Sequence, residues 1–173
     1  MLKVVITGPE SCGKTTLASG LSDIYGVPFV AEYAREYLEK AKGRYRQKDL
    51  LHIAEGQMRK EAEIIKQNFP IIICDTALHV IRIWSIYKFG HCDEEIEKML
   101  QEYEADVFLL TDYSIPYEVD PLRETPLERS DLYDLYYQDL TAYHRAFHVI
   151  SGGKDERLSQ AKEIIDTCFD LIV

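Results

Sequence analysis

The chain is short of positive charge: across its 173 residues, 20 Lys and Arg stand against 30 Asp and Glu. A surface of this balance is not built to neutralise the phosphates of nucleic acid or of a membrane, so a small-molecule partner is expected and a nucleic-acid partner is not. Close cysteine pairs are missing too. Cys12, Cys74, Cys92 and Cys168 are scattered along the chain, without the spacing of a zinc site or a disulfide framework, and reduced thiols in a cytoplasmic protein are the expectation. Long hydrophobic runs are absent, none approaching the ~20 residues of a membrane span. The N-terminus enters an apolar strand-like segment within two residues and lacks a signal-type cleavage region, so a soluble, intracellular protein is expected. Internal repeats and low-complexity tracts are lacking, and the length suits one well-buried core, so residues 1–173 are expected to form a single domain.

What is there is an alternation of short apolar runs with longer segments of helical period, the pattern of a parallel sheet with crossover helices. Strands are predicted at Lys3–Thr7, Pro28–Ala31, Pro70–Cys74, Val107–Thr111 and Phe147–Ser151. Most are nearly unbroken apolar runs, so both faces of the sheet should be covered by helices. Helices are predicted at Lys14–Tyr25, Glu32–Ala41, Lys48–Gln67, Leu78–Lys88, Asp93–Glu104, Glu128–Arg145 and Asp155–Leu171. The stretch Tyr113–Pro126 holds three of the six prolines and has no apolar period, which marks a loop at the rim of the sheet. The expected fold class is a three-layer α/β architecture of about five parallel strands.

The first strand runs into Gly8-Pro9-Glu10-Ser11-Cys12-Gly13-Lys14-Thr15-Thr16, which satisfies G-x-x-x-x-G-K-[ST] at the place the motif requires, after a strand and opening a helix. Gly8 and Gly13 let the backbone curl until its N–H groups point inward as an anion cradle, to which the following helix adds the positive end of its dipole. Lys14 is expected to reach the β- and γ-phosphates of ATP, and the Thr15 hydroxyl to ligate the accompanying Mg²⁺. Thr16 caps or packs. Asp75 ends the apolar run "IIICD". Ligands of doubly wound sheets bind at the carboxyl ends of strands, which assigns Asp75 to Mg²⁺ or its water shell, against the alternative of a helix N-cap.

A phosphate cradle alone does not choose among a motor, a switch and a kinase. The guanine-reading N-K-x-D pattern is absent, and a motor usually needs more chain for coupling to a partner. A compact kinase needs a base, an acceptor pocket and a lid carrying cations. Glu32 opens a helix after the second strand and is the first candidate for general base, with Asp75 as the alternative. A first-turn acidic residue favoured by the helix dipole would look the same. Arg35, one turn later, either clamps the acceptor or makes a surface ion pair. The lid candidate, within about residues 113–130, is "DPLRETPLERSDL", where Arg123 and Arg129 offer planar charge to the γ-phosphate. The "SGGK" after the last strand places Gly152 and Gly153 where a loop can pass the adenine ring.

Together these segments resemble the ribosylnicotinamide kinase domain of NadR-type NAD-biosynthesis proteins, within the P-loop NTPase superfamily. The resemblance rests on "GPESCGKTTLA", "AEYAREYL" at Ala31–Leu38, "LLHIAEGQ" at Leu50–Gln57, "CDTALHVIRIWSIYKFG" at Cys74–Gly90 and "DPLRETPLER" at Asp120–Arg129. It implies a P-loop kinase fold, transfer of the γ-phosphate of ATP to the ribose 5′-hydroxyl of nicotinamide riboside, a contact of Trp84 with the nicotinamide ring, and a contact of Asp120 with ribose hydroxyls. From periodicity alone Trp84 is a core residue and Asp120 a turn cap. Two departures stand out. The chain begins at the kinase's first strand, so the DNA-binding and adenylyl-transfer functions of full-length NadR are not expected of it. Ala77 also stands where the family often carries an acidic residue. The competing expectations are a kinase of another nucleoside or nucleoside monophosphate, and a non-catalytic ATP-dependent switch.

Other features read as structural. His144 and His148 are four apart across a predicted helix end, too little for a metal site. Leu132, Leu135, Tyr136, Leu140 and Tyr143 form a core stripe at helical spacing. Cys12, near a helix N-terminus, is expected to be a small packing residue.

Overall fold

A computed structural model describes residues 1–118 and 129–170. Asp120 and Arg123 lie outside the described residues. The first half of the chain forms β1 (Leu2–Thr7), α1 (Lys14–Tyr25), β2 (Phe29–Val30), α2 (Tyr33–Lys40), α3 (Gln47–Ile65) and β3 (Ile71–Asp75). The second half forms α4 (Leu78–Phe89), α5 (Glu94–Gln101), β4 (Val107–Thr111), α6 (Arg129–Ala142), β5 (Phe147–Ile150) and α7 (Lys154–Asp170).

All five strands are parallel, in the order β2-β3-β1-β4-β5. The apolar runs are unbroken because each strand feeds two cores at once. Leu2, Val4 and Ile6 join Ile71, Ile73, Val107 and Leu109 beneath α1 and α7. The intervening Val5, Ile72, Cys74, Phe108 and Leu110 lie in the opposite core with Leu50 and Ile53 of α3, Leu78 and Ile81 of α4, Ile96 of α5 and Leu132, Tyr136 and Leu140 of α6. Strand side chains alternate faces, so a one-residue slip of β1 would exchange its two sets, and filled cores on both sides hold the register in place.

Lys3 is the polar exception on β1. Its ammonium meets the buried Glu61 carboxylate of α3 and lies 3.8 Å from the centre of the Tyr103 ring, while the Tyr103 hydroxyl donates to Glu61 at 3.1 Å. A buried ion pair is costly to desolvate, and the extra hydroxyl and ring contacts offset that cost.

Element boundaries agree with the sequence expectation to within a few residues. β2 is shorter than Pro28–Ala31 because this edge strand pairs with β3 only through Phe29 and Val30. At the other edge, His148 and Val149 of β5 are exposed. The order of connections matters most for the site: β1 leads out to β2 and back to β3 on one side, while β4 and β5 continue on the other. Such a reversal opens a crevice at the carboxyl ends of the central strands, where the loop after β1 lies.

Candidate active site

The loop between β1 and α1 has three residues in left-handed or otherwise positive φ: Gly8 at +135°, Ser11 at +56° and Gly13 at +73°. A Cβ on Gly8 would stand 2.5 Å from the Thr111 carbonyl oxygen, so only glycine lets the loop start pressed against the end of β4. Gly13 is the N-cap of α1 and no side chain caps it, an arrangement that leaves the first helical amides to an anion. Lys14 Nζ donates to the Pro9 carbonyl at 2.6 Å, folding back over the cradle it closes.

Two arginines brace this loop from behind. Arg129, the first residue of α6, donates to the carbonyls of Ser11 at 3.1 Å and Ile115 at 2.9 Å. Arg157 of α7 is buried, donates to the carbonyls of Cys12 at 2.9 Å and Gly152 at 2.7 Å, and pairs with Asp112 beyond β4. Holding consecutive carbonyls outward leaves the amides to face the cradle. Cys12 is fully buried, and burial raises its thiol pKa against the lowering charges of Lys14, Arg129 and Arg157, so it packs rather than reacts.

Asp75 sits one step behind the cradle. The Thr15 hydroxyl donates to its Oδ2 at 2.6 Å, while its Oδ1 is buried without a partner. Burial raises the carboxyl pKa, with Thr15, Lys14 and Arg35 opposing. The N-cap of α4 is Ala77, so Asp75 does not cap that helix. Thr76 between them has φ +71°, a strained value for a β-branched residue of the kind that gathers at functional sites. A hydroxyl beside a carboxylate with an unspent oxygen fits Mg²⁺, a hard cation that keeps several waters and takes its remaining ligands from phosphates. Among the described residues no cluster of three or more His, Cys, Asp and Glu could hold a metal ion.

From the cradle a cavity of about 310 Å³ extends both ways, the size range of small-molecule sites. One end is lined by Thr16, Leu17 and Gly20 of α1 and by Lys154, Arg157 and Leu158 of α7. Here the wall comes from the residues after Gly152 and Gly153: the two glycines form the turn itself, with the Gly153 amide donating to Glu156 at 2.7 Å. The other end is apolar and aromatic, with Leu38, Tyr45, Leu50, Ile53, Val80 and Trp84 beside Arg35 and Gln57. Trp84 is half-buried and packs edge-on against Tyr87 at 5.7 Å. It is therefore both part of the α4 packing and a cavity wall.

Glu32 stands between the two ends, next to α2. Its carboxyl is pushed up to about 7, first by burial, then by Asp75 and Glu10, with Lys14 and Arg35 pulling it down. It occupies the N-cap position of α2, yet its side chain caps nothing. Arg35 forms an ion pair with Glu39 at 3.4 Å and also lines the cavity. The structure thus brings together Lys14, Thr15, Glu32, Arg35 and Trp84 on one cavity, with Asp75 bonded to Thr15 behind it.

Three lining or bracing residues escaped the sequence reading. Tyr136 reads as core in the sequence, and neither Arg157 nor Gln57 is singled out by any local pattern. Tyr136 is core and cavity wall at once. Gln57 is marked only by the family resemblance, through its place in "LLHIAEGQ". His144 and His148 are exposed, as expected of residues without a site.

A cradle of this form, at the switch point of a parallel sheet flanked by helices, defines a P-loop protein. Residues 3–157 match the AAA domain family, and the chain belongs to it. Within that class it is similar to the trifunctional NAD biosynthesis/regulator protein NadR of Salmonella typhimurium, with 24% identity over 169 residues. The match covers 94% of this chain and 41% of the relative, so the chain spans about two-fifths of that protein. Among solved structures, NadR in complex with NR superposes with a TM-score of 0.76 at 20% identity, covering 98% of this chain and 52% of that one. NadR in complex with NAD and AMP-PNP gives 0.78 at 21%, covering 98% and 49%. Thymidylate kinase from Ehrlichia chaffeensis gives 0.69 at 20%, covering 95% and 98%. At these identities the likeness is one of fold: a P-loop kinase fold.

Proposed function

We propose that the protein is an ATP- and Mg²⁺-dependent kinase that phosphorylates the ribose 5′-hydroxyl of nicotinamide riboside to give nicotinamide mononucleotide. The observation that carries this reading is the single cavity in which a phosphate cradle opens onto an aromatic compartment, with an elevated carboxyl between them. The resemblance to NadR, solved with NR and with AMP-PNP, supports the choice of acceptor and donor.

In this reading the cradle and Lys14 hold the triphosphate, and Thr15, backed by Asp75, takes a place in the magnesium shell. Mg²⁺ held there would supply charge neutralisation to the triphosphate. Glu32 accepts the proton of the acceptor hydroxyl as its oxygen bonds to the γ-phosphorus and the bond to the β–γ bridging oxygen breaks, releasing ADP. A base with a pKa near 7 is matched to this task. Trp84 offers a ring face to the cationic nicotinamide, and Arg35 orients the ribose. Arg123 and Arg129 are assigned to charge compensation at the γ-phosphate, Arg129 from its station on the carbonyls of Ser11 and Ile115, and Asp120 to ribose contact. Gly152 and Gly153 shape the turn beside the adenine.

The test is ADP release from Mg-ATP across nicotinamide riboside, uridine, cytidine, thymidine, a nucleoside monophosphate and water alone, with Lys14→Ala as the blank. Lys14-dependent turnover with nicotinamide riboside at least tenfold above every other acceptor is expected. Preference for another nucleoside would replace the acceptor. Slow hydrolysis indifferent to all of them would favour a switch.

A further inference from the structure

A helix begins with backbone N–H groups that have no partner within the helix, and the N-cap side chain normally accepts one of them. Glu32 occupies that position on α2 but makes no such bond. The first amide of the helix, Tyr33 N–H, instead donates 2.8 Å to the side-chain oxygen of Gln57, twenty-four residues on and in the middle of α3. The orientation of this carboxamide is determined chemically. A backbone N–H only donates, so the oxygen must face α2. The amide nitrogen at the other end of the carboxamide is buried and makes no hydrogen bond.

The residue before Gln57 prepares the same contact. A Cβ on Gly56 would lie 2.0 Å from the Tyr33 ring, so the ring rests directly on the backbone of α3. Glycine in a helix interior is less favourable than alanine, which makes a close packing role the natural reason for it here. Gly56 and Gln57 together seat Tyr33, the residue joined by a peptide bond to Glu32.

We propose that Gln57 is a positioning residue that holds the first amide of α2, and with it the Glu32–Tyr33 peptide, so that the Glu32 carboxylate faces the acceptor. The inference rests on the reading of Glu32 as the base. An N-cap side chain takes the second or third amide of its helix, so Gln57 on the first amide anchors the peptide beside Glu32 rather than replacing it as a cap. Without this anchor the Tyr33 N–H loses its acceptor and the peptide that carries Glu32 is no longer fixed. Lys14, Arg35, Asp75, Glu10 and the Tyr136 hydroxyl are the charged and titratable groups whose fields meet Glu32. Gln57 adds a neutral dipole to that set without a further charge.

The experiment is a double-mutant cycle on the full chain, with nicotinamide riboside as acceptor. Gln57→Met keeps the volume and removes the acceptor oxygen. It is expected to lower kcat at least tenfold while leaving KM for ATP within about twofold, and to cause no further loss in a Glu32→Gln background, because both changes disable one unit. A Gln57→Met enzyme with unchanged kcat, or one whose loss is simply additive with Glu32→Gln, overturns the proposal. Full activity in Glu32→Gln alone instead overturns the base assignment, which is a separate failure. Hydrogen exchange of the Tyr33 amide in the unaltered protein needs no variant. Protection of this first helical amide is expected, and exchange at the rate of an uncapped helix end contradicts the proposal even if Gln57→Met does not fold.

Discussion

Glu32 concentrates the chemistry at the scale of single residues. Its carboxyl is held up to about 7, chiefly by burial. A base must be ionised to act, so kcat/KM is expected to rise with pH through about 7 and level off above it. Glu32→Gln should lower kcat by about 10²–10⁴-fold, the span general-base catalysis usually covers, and leave ATP binding nearly intact. A rate profile flat between pH 5.5 and 8 would contradict the assignment. The same shift has a thermodynamic sign. Between the ordinary carboxyl pKa of 4.5 and about 7, the folded protein binds more protons than the unfolded chain. Glu32 therefore makes the fold less stable as pH rises across that window. Glu32→Gln should consequently be more stable than the parent at pH 8, a site residue trading stability for activity.

Helices and loops act through their joints, and the most heavily used joint is Arg157. It ties α7 to the P-loop, to the turn at Gly152 and to the segment after β4. Arg157→Met would leave the Cys12 and Gly152 carbonyls without their donor and the half-buried Asp112 without its ion-pair partner. A loss of about 1.5–3 kcal/mol in urea unfolding is expected, the range for hydrogen bonds to a charged group. Arg157→Lys should recover only part of it, because a point charge cannot reproduce a planar fork. Restoration to the parent value would show that charge alone suffices. This joint also shows where sequence reading stops. Strand and helix identities were legible because each strand is apolar on both faces and each helix carries a period, and the cradle was legible because its glycines obey local backbone rules. Arg157 and Gln57 act across 145 and 24 residues of sequence, and no local pattern distinguishes an arginine bound to a distant carbonyl from one in water. Glu32 was legible as a rim carboxylate. That its peptide is anchored by another element depends on tertiary contact alone.

For the molecule as a whole, the sheet order puts donor and acceptor compartments on either side of one crevice, with the loop after β1 between them. The P-loop kinase fold supplies the cradle, and on the proposed reading the cavity's aromatic end would supply the selectivity that fold alone does not dictate. The central claim is direct transfer of phosphorus between these two compartments. The measurement that tests it most directly uses ATP labelled with ¹⁸O on the γ-phosphoryl group, incubated with the protein, Mg²⁺ and nicotinamide riboside, and mass analysis of the products. The expected result is labelled nicotinamide mononucleotide formed one for one with ADP and absent with Lys14→Ala. Labelled inorganic phosphate in its place, with the nucleoside recovered unchanged, would contradict the account.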